Sequence, residues 1–146
     1  PESTEVADTV DNLAIIHAAT GDRAQAKELY ERALAIKEQA LGRDRPALAQ
    51  TLHNLGELAV EEERRAEAVA LIERAVAIFD AHDGVQEGEH AARYGLARAL
   101  VPDDRERAIA LARAAAEGYR SAGDGHTDKA EEIEAWAAAH ERGGAR

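Results

Sequence analysis

Two asparagines, Asn12 and Asn54, stand 42 residues apart in matching surroundings, Asp11-Asn12-Leu13-Ala14 and His53-Asn54-Leu55-Gly56. A side-chain amide holds both a donor and an acceptor, so it can pair with the backbone of an extended peptide whatever side chains that peptide has. Helical spacing leaves Asp11, Ile15 and Ala19 beside the first amide unused for packing. His53, Glu57 and Val60 lie the same way beside the second, and Tyr94 and Arg98 in a third stretch. The chemistry these residues suggest is recognition of a polypeptide. The competing reading is that each amide bonds only the protein's own backbone.

Other chemistries find less support. Glu87, Glu89 and His90 with His82 can be drawn as a metal site, but a zinc or non-haem iron centre needs three or more ligands in matched geometry. An accidental cluster in a loop explains them better, so no metal and no other cofactor is expected. Ser3 and Ser121 are the only serines, and neither stands beside a histidine and an acid. Gly123 and Gly125 do not follow a strand, as a phosphate-cradling loop would require. Carboxylates abound, on helices acidic enough for pairs to occur by chance. The chain is therefore not expected to be an enzyme. A small-ligand sensor is the alternative from another class, and its mark would be a closed pocket with converging polar groups.

The elements that must position these residues repeat. The offset of 42 also relates Ala26 to Ala68 and Ala33 to Ala75, and a fixed period of this size means stacked supersecondary units. The spacing predicts a helix from about residue 5 to 19, with Val6, Val10, Leu13, Ala14 and His17 inward. After Gly21-Asp22, a second helix covers about 23–41, with Ala26, Leu29, Tyr30, Ala33, Ile36 and Ala40 as its stripe. Short connections make such neighbours antiparallel, so this is a helical hairpin. Gly42 ends it, and Pro46 opens a third helix at a position that needs no N–H. That helix, about 46–61, turns Leu48, Leu52, Leu55, Gly56 and Ala59 inward. The turn at residues 61–65 has no glycine, and a fourth helix follows over about 66–82.

A third, degenerate hairpin is expected over 87–122. Pro102 stops its first helix, and Asp103 with Glu106 resembles a capping box for its second. Its offset from the preceding unit falls to 40. After the break Gly123-Asp124-Gly125, Thr127 is expected to cap a last helix to about 141, with Ala130, Ile133, Ala137 and Trp136 on one face. The expected organisation is a repeat array over 1–122, with hairpins at about 5–41, 46–82 and 87–122, then a capping helix and frayed tail over 123–146.

Composition agrees with a folded, strand-poor chain: 45% hydrophobic, 32% charged and only 3% aromatic across 146 residues. The net charge of −11 disfavours nucleic acid and anionic membranes, and suits neutral or basic partners. There is no cysteine, hence no disulfide or thiol chemistry. No apolar run reaches membrane-spanning length and no leader pattern opens the chain, so a cytoplasmic location is the expectation. With no methionine anywhere, an initiator included, the chain reads as a piece of a longer protein.

The pattern resembles the tetratricopeptide repeat. Val10, Leu13, Ala14, Ala26, Tyr30 and Ala33 fill that family's positions in the first unit, and Leu52, Leu55, Gly56, Ala68, Ile72 and Ala75 fill them in the second. Leu96, Ala97, Ala108, Ala112 and Ala115 fill them weakly in the third. The 42-residue spacing, the run Glu31-Arg32-Ala33-Leu34-Ala35-Ile36 and the turn Leu41-Gly42-Arg43-Asp44-Arg45-Pro46 resemble the longer, kinesin-light-chain-like variety. Trp136 on the terminal helix, with much alanine and arginine and little lysine, resembles the C-terminal repeat region of larger bacterial signalling proteins.

The resemblance implies an all-α, right-handed α-solenoid of three antiparallel hairpins plus a capping helix, seven helices in all. It implies a protein–protein interaction scaffold, with the first helix of each hairpin lining a concave groove and an asparagine there holding peptide backbone. The contact residues would be Asp11, Asn12, Ile15, His53, Asn54, Glu57, Tyr94 and Arg98. Capture of an acidic C-terminus is disfavoured, because that face has Asp11 and Glu57 against a single cation, Arg98. Self-association into a homodimer through Val6, Ile15 and Ile16 is the alternative within binding.

Overall fold

The computed structural model describes residues 2–82 and 88–144. Among these are seven α-helices: α1 (Thr4–Ala19), α2 (Arg23–Leu41), α3 (Pro46–Glu61), α4 (Arg65–Ala81), α5 (Glu89–Leu100), α6 (Arg105–Ser121) and α7 (Thr127–Gly143). The fold class is all-α, built of helical hairpins in tandem. The chain divides into two compact units, Pro1–Asp83 and Gly84–Arg146. The second unit takes in α7, which packs on α6.

In the first unit, α1 pairs with α2, α3 with α4, and α2 also lies against α3. Alanines make the close approaches: Ala7, Ala14, Ala26, Ala33, Ala68 and Ala75 are fully buried. With one carbon beyond the backbone, they lose no side-chain entropy and let facing helices nest. Val10, Leu29, Tyr30, Leu55 and Leu58 fill the space between. At Gly56 even a Cβ would be too much, since it would stand 2.3 Å from Ile72 Cγ1. The first repeat solves the same position with Ala14, and has Tyr30 where the second has Ile72.

Local chemistry sets the helix ends. Ser3 accepts from the Val6 N–H at the start of α1, Asp22 from Gln25 at the start of α2, and Asp104 from Arg107 at the start of α6. The last of these corrects the expected cap at Asp103 by one residue. Thr127 is also no cap: a short 3-10 turn over Asp124–His126 leads into α7, and the Thr127 hydroxyl donates back to the Asp124 carbonyl at 3.1 Å. The two hairpin turns of the first unit are the same turn. Gly21 N–H donates to Ala18 O and Asp22 N–H to His17 O; Glu63 and Arg64 repeat this onto Val60 and Ala59. Gly21 has φ of 85°, and Glu63, 42 residues on, is held at 58°. The period therefore locates a turn that composition hides, at the expense of a left-handed non-glycine residue.

Four expected core positions are corrected. Val6 and Leu13 are exposed, because within the first unit no described helix packs on the α1 strip they occupy, whereas Leu48 and Leu55 at the matching places of α3 are buried. His17 is half-buried, with its Nδ1 3.3 Å from Asp22 Oδ2, instead of filling the core. Ala40 is exposed at the far end of α2.

Candidate functional site

In the first unit the candidate residues lie on α1 and α3. Asn12 is exposed on α1, as is Ile15 one turn nearer the hairpin. Asn54 is half-buried, and its side-chain oxygen accepts from Gln50 Nε2 at 2.8 Å. Both amides thus reach the surface from equivalent positions on first helices.

Asp11 is placed differently from a free groove carboxylate. Its Oδ2 pairs with Lys37 Nζ of α2 and accepts from the Thr51 hydroxyl of α3 at 2.6 Å. Lys37 also donates to Thr51 Oγ1 at 3.2 Å and lies 3.1 Å from Asp8 Oδ1. This ties three helices together beneath the face. The burial of Lys37 was not legible in the sequence, where a lysine near a helix end reads as solvated. Asp11 also helps raise the pKa of Tyr30 to about 12, burial of the ring being the larger cause.

His53 is buried, with Nε2 3.5 Å from Glu57 Oε1 one turn on, so the pair forms a unit on α3. Glu57 itself keeps more than a quarter of its side chain in solvent. Asp8, not singled out by sequence, keeps two thirds of its side chain in solvent on the same side of α1.

Tyr94 and Arg98 belong to the second unit. Tyr94 is buried: it meets the Trp136 ring edge-on at 5.6 Å, with Arg98 stacked 5.1 Å and Lys129 Nζ 5.5 Å from its ring centre. Its work is to join α5 to α7. Beside it, His90 packs directly on Gly118, where a Cβ would stand 2.2 Å from the ring, and meets Tyr119 edge-on. Burial lowers the His90 pKa, with Arg93 and His126 acting in the same direction and Glu89 opposing. The same desolvation raises that of Tyr119.

Among the described residues no group of three or more His, Cys, Asp or Glu is placed to hold a metal ion. Glu87 of the drawn cluster lies outside them, Glu89 is paired with Arg93 at 2.5 Å, and His82 Nδ1 bonds the Ile78 carbonyl. No described helix is long and apolar enough to cross a membrane.

Tandem antiparallel hairpins with small-residue contacts at a 42-residue period define a helical-repeat protein. The model of the tetratricopeptide repeat matches residues 5–81, over half the chain, and the chain belongs to that family. Its fold is similar to that of the nearly identical TPR-like repeats of a Podosopora anserina protein named for kinesin light chain, at 22% identity and a TM-score of 0.74, covering 92% of this chain and 66% of that one. It is also similar to BtubC (BKLC) from P. vanneervenii, at 16% identity and a TM-score of 0.82, covering 96% of this chain and 58% of that one. The chain thus spans about two thirds or less of these structures' length. No curated protein matches. Repeats of this family generally mediate protein–protein contacts rather than catalysis.

Proposed function

We propose that this chain binds a partner protein by holding an extended, neutral or basic segment of it along α1 and α3. The observation behind this reading is the pair of amides, Asn12 and Asn54, at equivalent positions of successive repeats and both reaching solvent. Spaced amides take up the donors and acceptors of peptide backbone, which an extended strand leaves unpaired. Ile15 offers apolar area beside them. Asp8 and Glu57 supply negative charge, and the net charge of −11 acts in the same sense. Asp11 and His53 form the floor rather than the contact surface, and Tyr94 is spent on α7.

Binding of a random peptide array by the parent and by the Asn12→Ala, Asn54→Ala double variant tests this reading. Bound peptides should be enriched in lysine and arginine, and their capture should weaken above physiological salt. Equal capture by the double variant removes the site assignment.

A further inference from the structure

Lys37 is 5% exposed, and the three acceptors around its ammonium are not alike. Asp11 and Thr51 take it inside the unit, whereas Asp8, whose Oδ1 is 3.1 Å from Nζ, keeps 67% of its side chain in solvent. A buried cation thus anchors an exposed carboxylate from beneath, and Oδ2 of Asp8 has no partner among the described residues. One turn on stands Asn12, exposed, its amide unbonded among the described residues, and then Ile15 at 46% exposure. At spacings of four and three residues the three share one face of α1. Their exposure belongs to that face rather than to the helix's place in the chain. The matching residues of α3, on which both α2 and α4 pack, are Gln50, Asn54 and Glu57, and they reach solvent too.

We propose that Asp8, Asn12 and Ile15 form a subsite for one arginine side chain of the bound segment. The inference rests on the peptide-binding reading and assigns that site a specificity. The methylene stem lies along Ile15, as long cationic side chains do on apolar surface. The guanidinium reaches Asn12 and Asp8, donating to the amide oxygen and to Oδ2 of the carboxylate. Two acceptors on successive turns suit a planar fork of five donors, and a charged acceptor strengthens the bond.

Lysine fits less well. Its ammonium is a compact point charge that reaches one acceptor group at a time, and it would meet Asp8 across from the Lys37 ammonium. The guanidinium spreads the same charge over three nitrogens and is more weakly hydrated, so it tolerates that neighbour better. An acidic side chain would face Asp8 directly, which like charge opposes. The second repeat has no equivalent subsite. At the place of Asp8 it has the neutral Gln50, whose Nε2 donates to Asn54 Oδ1 at 2.8 Å and so occupies the amide acceptor, and at the place of Ile15 it has Glu57. Arginine reading therefore belongs to the first repeat, while the amide of the second keeps its donors for peptide carbonyls.

The probe is the random peptide array made in three versions, in which every arginine is kept, replaced by lysine, or replaced by citrulline, its uncharged near-isostere. The parent should capture the arginine version about ten-fold more tightly than the citrulline version and about three-fold more tightly than the lysine version. Asp8→Asn keeps an oxygen for Lys37 and should melt near the parent. It should bring the arginine and citrulline versions within about two-fold of each other by weakening only the former. Glu28→Gln removes an exposed carboxylate of α2 and changes net charge equally, and it should leave the arginine preference intact. Lysine captured as tightly as arginine, an arginine preference that survives Asp8→Asn, or an equal loss in Glu28→Gln overturns the subsite. Capture of all three versions alike by the parent overturns it too while leaving the peptide-binding reading in place. Capture of none of them overturns both.

Discussion

Lys37 of α2 and Asp11 of α1 form an ion pair inside the first unit, with side chains only 6% and 13% exposed, and the Thr51 hydroxyl of α3 bonds both. A buried charge is costly unless it is partnered, so each member depends on the other. Lys37→Met should destabilise the first unit by about 3 kcal/mol, because it strands the Asp11 carboxylate. Adding Asp11→Leu should recover most of that loss. Urea denaturation of the single and double variants measures both, and a double variant less stable than Lys37→Met would contradict this account of the pair.

The same leucine should matter in one repeat and not in the other. Leu55 is 3% exposed and Leu13 is 45% exposed, at equivalent positions. Leu55→Ala should cost about 2–5 kcal/mol through lost burial and the cavity left behind. Leu13→Ala should stay within about 0.5 kcal/mol of the parent. Paired thermal melts decide the matter.

Glu63 sits at a φ of 58° in the turn that Gly21 makes at 85°. A Cβ in the left-handed region costs roughly 1 kcal/mol, so Glu63→Gly should raise stability by about that amount, less a small entropic cost in the unfolded chain. Gly21→Glu should lower it comparably. A calorimetric scan in which both changes destabilise would show that Glu63 has gained a contact worth more than its strain.

Acid should weaken the second unit through His90. Burial holds the folded-state pKa below the ordinary value of 6.5, so the unfolded chain binds the proton more tightly. This stability is complete above about 6.5 and is lost as pH falls through the lower folded value. Melts followed by fluorescence of Trp136, the only tryptophan, should therefore fall in midpoint between about pH 7.5 and pH 5. His90→Gln should show a shallower fall than the parent, and an identical slope would assign the acid sensitivity to other groups.

Periodicity alone determined the class of fold, the bounds of α2 and α3, and most of the buried alanines, because helix formation and hairpin pairing depend on residues near in sequence. It also located the amides, since an exposed position one turn from a packed one follows from 3.6 residues per turn. What it could not determine was occupancy by distant neighbours. The stripe of Val6, Leu13 and Ile16 has the pattern of a core face, and only the stacking of α2 on α3, with no counterpart on α1 among the described residues of the first unit, separates Leu55 from Leu13. Asp11 and Tyr94 have the spacing of contact residues, yet Lys37 and Trp136, reached across 26 and 42 positions of chain, draw them inward. Burial is a property of what packs against a side chain, and that is settled by the tertiary arrangement, not by the residue's own segment.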